Sequence, residues 1–170
     1  FESLMTLTGA NSDVRVPIRP SDAAKIALSL ANELVNTLKV GSVDGETATS
    51  LKKYGADEVA MAAGFNPDII TATAKELAAS RGKSLVIAGS IQSQSQDAMA
   101  LQVAVNLLNS ILQNDGTTID YSGSPSKQST ASYAQMMELI ADMEAGQVDA
   151  LFIYKTNPVY WLGKDSAFVK

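Results

Sequence analysis

Two pairs of small polar residues stand where a ligand could be gripped. Gly89-Ser90 follows the apolar run Ser84 to Ala88, and Thr156-Asn157 lies just past the run Ala150 to Tyr154. If both runs are strands of an open parallel sheet, these turns lie at strand carboxyl ends, where such sheets bind their ligands. Asp22 is a third candidate, an acid in the first turn of a helix, where the dipole favours a carboxylate with or without a ligand. None of these residues makes a nucleophile–base pair, and no catalytic residue is assigned. The chain has no histidine and no cysteine. That removes the usual imidazole ligand, the neutral-pH base and thiolate ligation, so no metal site or iron–sulfur site is expected in these residues. Glu138, Asp142 and Glu144 share a helix whose polar side should face water rather than form an acid–base pair. The polar run Ser90 to Gln96 could contact polar ligand groups or simply be a solvated loop.

The elements that would position these residues follow from periodicity and punctuation. Asp13 to Ile18 alternates as a half-buried strand, and Pro17 places it toward an edge because proline cannot donate to the ladder. Pro20-Ser21-Asp22 starts a helix, with Ser21 or Asp22 as cap. Its apolar positions Ala27, Leu30, Ala31, Leu34, Val35 and Leu38 recur at helical spacing until Gly41. Glu46 to Leu51 and Asp57 to Ala63 predict two short helices. Asn66-Pro67-Asp68 starts another, with Ile70, Ala74, Leu77 and Ala78 inward and Arg81-Gly82 at its end. Ser84 to Ala88 predicts a strand buried on both faces, with Gly89 needed for the bend after it. Asp97 to Gln113 predicts a long helix with Ala100, Ala104, Leu107, Leu108 and Ile111 inward. Thr118 to Tyr121 predicts a short strand, Ser122 to Thr130 a loop, Ser132 to Ala145 a helix, and Ala150 to Tyr154 a second buried strand. Alternating strands and helices predict an α/β fold: an open, mostly parallel, Rossmann-like sheet with helices on both faces.

Length and composition fit one domain over residues 1–170, with 46% hydrophobic residues drawn from aliphatics rather than aromatics. A net charge of −5 without a basic cluster argues against nucleic acid and anionic membrane as partners. No run approaches a membrane span, so direct membrane insertion is not expected. The chain opens on Phe1 and closes on Ala167-Phe168-Val169-Lys170, which reads as a fragment of a longer polypeptide. The exposed-looking pair Tyr160-Trp161 is then expected to pack against the rest of it.

Four segments, in order, resemble the large subunit of the molybdopterin oxidoreductase family. Asn11 to Asp22 is similar to its strand, Arg-Pro turn and helix start, where the first acid recognises guanine. Pro20-Ser21-Asp22 stands where the family commonly has Pro-Gly-Thr-Asp. Ala63 to Gly89 resembles its proline-started helix and following strand. Leu107 to Gly116 resembles a leucine run closing on Gly-Asn-x-Gly, with Gln113 at the first glycine. Leu151 to Pro158 resembles the strand ending in Gly-x-Asn-Pro, with Lys155 in place of glycine. Leu4 to Pro20 together with Asn157 to Tyr160 looks most like the fused molybdopterin-like and iron–sulfur subunit of alternative complex III.

The resemblance implies a structural, cofactor-free domain of a quinol-oxidising respiratory complex. Its partners would be other domains of the parent polypeptide and the subunits of a membrane-attached complex on the periplasmic side of the inner membrane. Iron–sulfur clusters would lie in the rest of the parent chain. The competing implication is a catalytic molybdenum or tungsten oxidoreductase, in which Asp22, Gly89, Ser90, Thr156 and Asn157 hold part of molybdopterin guanine dinucleotide. A free-standing nucleotide-binding module is a third possibility, disfavoured because no Gly-x-Gly-x-x-Gly follows a strand.

Overall fold

A computed structural model describes residues 1–89, 96–122, 131–163 and 168. Among them the expected open parallel sheet is absent. The described residues form helices, and β pairing is confined to two isolated parallel bridges, Glu2 with Pro17 and Asp115 with Ile119. The expected strand Thr118 to Tyr121 is reduced to the second of these. The first keeps part of the edge expected at Pro17: Glu2 donates to the Val16 carbonyl and accepts from the Ile18 amide, so the bonds fall on either side of the proline.

The contacts divide the chain into two units, Phe1–Gly123 and Ser124–Lys170. In the first, the short helix α1 (Leu7–Ala10) precedes a 3-10 turn at Pro20–Asp22 and helix α2 (Ala23–Asn32). Helices α3 (Gly45–Leu51), α4 (Ala56–Ala63), α5 (Asp68–Ala79) and α6 (Ala98–Ile111) follow, and α2 packs against all four of them. It can do so because Ala23, Ala24, Ala27 and Ala31 let neighbouring backbones approach, while Leu30 and Leu34 fill the gaps between them. Full burial of one such leucine contributes roughly 1.5–3 kcal/mol.

Past Asn32 the helix widens into a π turn over Glu33–Thr37, with the Leu38 amide donating to the Glu33 carbonyl. It ends where Lys39 (φ 56°) and Gly41 (φ 75°) turn left-handed. A Cβ on Gly41 would meet the Ile111 carbonyl oxygen at 2.9 Å, so this turn seats the end of α2 on the end of α6. On α6, Ala104, Leu108 and Ile111 are buried as expected, whereas Ala100 is exposed. The inward stripe starts instead at Leu101, one position round the helix.

The run Ser84 to Ala88 is not buried on both faces. Ser84, Val86 and Ala88 are half-buried against the core, while Leu85 and Ile87 are exposed. In the second unit, helix α7 (Tyr133–Glu144) starts in a capping box in which Ser132 and Gln135 satisfy each other's backbone, and buries Ile140. The other expected strand, Ala150 to Tyr154, is exposed throughout, Phe152 at 93%. A run of apolar residues becomes a sheet strand only when other strands flank it, and the described residues place none beside either run.

Candidate functional site

The first unit carries an apolar groove of about 480 Å³ between α2, α6, the segment 86–89 and the first eight residues. Its walls are hydrocarbon, with Ile26 and Leu30 from α2, Val105 and Leu108 from α6, and Ile18 and Val86 at the sides. Gly89 lies on its rim. Among the described residues a Cβ there would meet nothing within 4 Å, and the residue is not left-handed.

At the mouth, the Glu2 carboxylate accepts from Arg15 Nε and from Thr6 Oγ1 at 2.8 Å. The Arg15 guanidinium, then Thr6, hold its pKa below the ordinary glutamate value. This ion pair ties the start of the chain to the strand-like segment before α2.

Asp22 stands at the start of α2, half-buried, but its side chain makes no capping bond. Instead its Oδ2 is buried, and among the described residues it has no hydrogen-bond partner. Ser90 lies outside the described residues. Thr156 and Asn157 belong to the second unit and are exposed. Asn157 Oδ1 accepts from the Tyr160 amide at 3.1 Å, capping helix α8 (Pro158–Leu162). Asp22 and Gly89 thus sit in one unit and Thr156 and Asn157 in the other.

Sequence reasoning did not single out the polar cluster behind segment 84–88. The buried carboxamide of Asn109 accepts from the Val86 amide at 3.1 Å and donates to the Val86 carbonyl at 2.7 Å. Asn114, fully buried, donates to Asn109 Oδ1 at 2.9 Å and contacts Ser84 Oγ at 3.3 Å. Thr118 Oγ1 donates to the Ser84 carbonyl at 2.6 Å. The available signal was a lone asparagine in the apolar stripe of α6, four residues after Val105 and one after Leu108. A polar side chain at such a position is retained only when it is satisfied inside.

Gln113 and Lys155, the two residues standing where the molybdopterin pattern has glycine, adopt left-handed backbone at φ 57° and 51°. Both turns thus carry long side chains on left-handed backbone. Lys155 Nζ lies 5.4 Å from the centre of the Tyr154 ring.

These residues do not fit a guanine dinucleotide in the groove. A diphosphate needs amides or cations around it. The walls here are aliphatic, and the charged group lining the groove is a carboxylate, Glu2. Among the described residues no cluster of histidine, cysteine and acidic side chains could hold a metal ion. Nor is any helix among them long and apolar enough to cross a membrane.

The chain is similar to the molybdopterin-binding-like subunit of menaquinone reductase from Nitratidesulfovibrio vulgaris (strain Hildenborough). The two are 31% identical over 176 aligned positions, covering 96% of this chain and 25% of that subunit. The chain therefore spans about a quarter of the length of the relative it matches. No family model matches the chain, and no solved structure does. The similarity supports a molybdopterin-related origin; it is to a menaquinone reductase subunit and does not single out alternative complex III.

Proposed function

We propose that this chain is a non-catalytic framework domain of a molybdopterin-type subunit in a respiratory, quinone-linked electron-transfer complex. The observation that carries the reading is the pair Gln113 and Lys155, left-handed where the molybdopterin pattern has glycine. The turn geometry is kept, which packing requires. The bare backbone that lets a diphosphate approach is gone, which cofactor binding would require. The aliphatic groove agrees with this, and so does the likeness to a subunit named molybdopterin-binding-like.

In this reading the chain supplies packing surface, and iron–sulfur domains and partner subunits elsewhere in the complex carry the electrons. The complex is attached to the membrane on its periplasmic side, as an alternative complex III-like or menaquinone reductase-like assembly. The test is to purify the natural polypeptide after growth with ample molybdate and tungstate, then measure both metals and the guanine nucleotide released by acid. Far less than one equivalent of each is expected. A stoichiometric metal with a stoichiometric nucleotide would overturn the reading.

One observation favours a second reading, a domain that holds the dinucleotide of a catalytic molybdenum or tungsten enzyme. Asp22 Oδ2 is buried and unpartnered at the helix start where the family's acid reads guanine. If that is its role, Asp22→Asn lowers the nucleotide content of the natural polypeptide while leaving its fold intact. In the framework reading there is no nucleotide to lose.

A further inference from the structure

Among the described residues, the main chain of segment 84–88 is held on one side only. Thr118 donates to the Ser84 carbonyl, Asn109 takes both main-chain groups of Val86, and Gln102 Nε2 donates to the Ala88 carbonyl at 3.3 Å. Exposure alternates with a period of two from Lys83 to Gly89, the mark of an extended chain. In such a chain successive residues aim their N–H and C=O at opposite edges. The groups of Leu85 and Ile87 therefore lie on the edge away from α6, and among the described residues they have no hydrogen-bond partner. Their side chains are 53% and 76% exposed.

We propose that this edge receives one extended, apolar strand of polypeptide from outside these 170 residues, added by main-chain hydrogen bonds to Leu85 and Ile87. The spacing of the free groups selects the occupant. Donors and acceptors recurring every second residue are matched by the main chain of another strand. A helix, whose own groups are used internally, does not match them, and neither does an apolar small molecule. The neighbouring side chains call for an uncharged strand, because Ile87, Val86 and Ala88 continue into the aliphatic groove wall.

The shortness of the edge selects the source. Two residues present far less surface than the ~1,000 Å² that free chains need for a stable interface, so a second copy of the chain is disfavoured. A segment of the same polypeptide, at an effective concentration in the millimolar range, is not bound by that limit. Three quarters of the similar subunit lies outside the matched span, which gives such a segment room to exist.

The test uses the natural polypeptide that carries this chain, with a benzophenone amino acid installed at position 85, and maps the photo-cross-link by peptide sequencing. Amide exchange at Ile87 is measured in parallel on the unaltered polypeptide, with Leu108 as a control for folding. A cross-link to a single segment outside residues 1–170 is expected, with the Ile87 amide slowed about a hundredfold or more against a solvated chain. The proposal is overturned by a cross-link within residues 1–170, by a cross-link to a second copy, or by fast exchange at Ile87 while Leu108 stays protected.

Discussion

Asn109 grips Val86 as a neighbouring strand would, accepting from its amide at 3.1 Å and donating to its carbonyl at 2.7 Å, but with one carboxamide on a helix in place of a main chain. The side-chain Nδ2 of Asn114 completes the arrangement by donating to Asn109 Oδ1. The pose of the Asn109 side chain is thereby set, and segment 84–88 is anchored at its middle.

Removing that carboxamide is therefore costly. Asn109→Ala leaves the two Val86 groups without partners, at roughly 1–3 kcal/mol for each group stranded, and leaves Asn114 Nδ2 with only its longer contact to Ser84 Oγ. A loss of about 2–4 kcal/mol is expected from urea unfolding of the first unit, with faster exchange of the Val86 amide. Asn109→Asp is also destabilising, because a carboxylate accepts from the amide but cannot donate to the carbonyl. Wild-type stability in either variant would refute the anchoring role.

Gln113 is expected to improve as glycine. Left-handed backbone costs a residue with a side chain about 1–2 kcal/mol, of which the extra entropy of glycine in the unfolded chain returns about 0.5–1. Gln113→Gly should thus stabilise the first unit by up to about 1 kcal/mol, read as a higher urea midpoint at unchanged slope. A lower midpoint would mean that the glutamine side chain makes a contribution larger than the strain.

Two left-handed glycines separate backbone strain from crowding. Gly64 (φ 84°) has open space where a Cβ would go, so Gly64→Ala carries the conformational term alone, about 1–2 kcal/mol. Gly41 (φ 75°) faces Ile111 Cγ2 and the Ile111 carbonyl oxygen, both at 2.9 Å. Gly41→Ala adds an overpacking cost of roughly 1–3 kcal/mol because backbone cannot rotate away. Equal losses at the two sites would show that the α2–α6 junction yields easily.

The Glu2–Arg15 pair sets a pH dependence for the start of the chain. The folded pKa of Glu2 is depressed, so its contribution is fully present above the ordinary glutamate value of about 4.3 and is lost as the pH falls through the lower folded value. Amide exchange of Glu2 and Ile18, whose bonds join the two segments, should accelerate on acidification through that range. In Glu2→Gln this acid-dependent step should vanish, and its persistence would assign the titration to another carboxylate.

The helices were legible because their signals are local. Asn66-Pro67-Asp68 starts α5, with the Asn66 side chain accepting from the Asp68 amide at 3.0 Å, and the Tyr54-Gly55 break separates α3 from α4. Such contacts join residues a few positions apart, so the sequence carries them whole. The sheet was not legible in the same sense. Ser84 to Ala88 and Ala150 to Tyr154 have the composition of buried strands, but a strand is defined by what lies beside it. For the first of these runs the described residues supply three side chains, Thr118, Asn109 and Gln102, on one edge only.

The candidate site divides along the same line. The sequence by itself placed an acid at a helix start, an Asn-Pro turn, and long side chains at two positions where a molybdopterin pattern has glycine. Tertiary structure decided that Asp22 Oδ2 is buried unpaired rather than capping, that Asn157 is used as a helix cap, and that Gln113 and Lys155 are left-handed. Residue types are written in the chain. Which groups find partners depends on segments brought together from tens of residues apart, as Val86 is to Asn109, and no local pattern encodes that meeting.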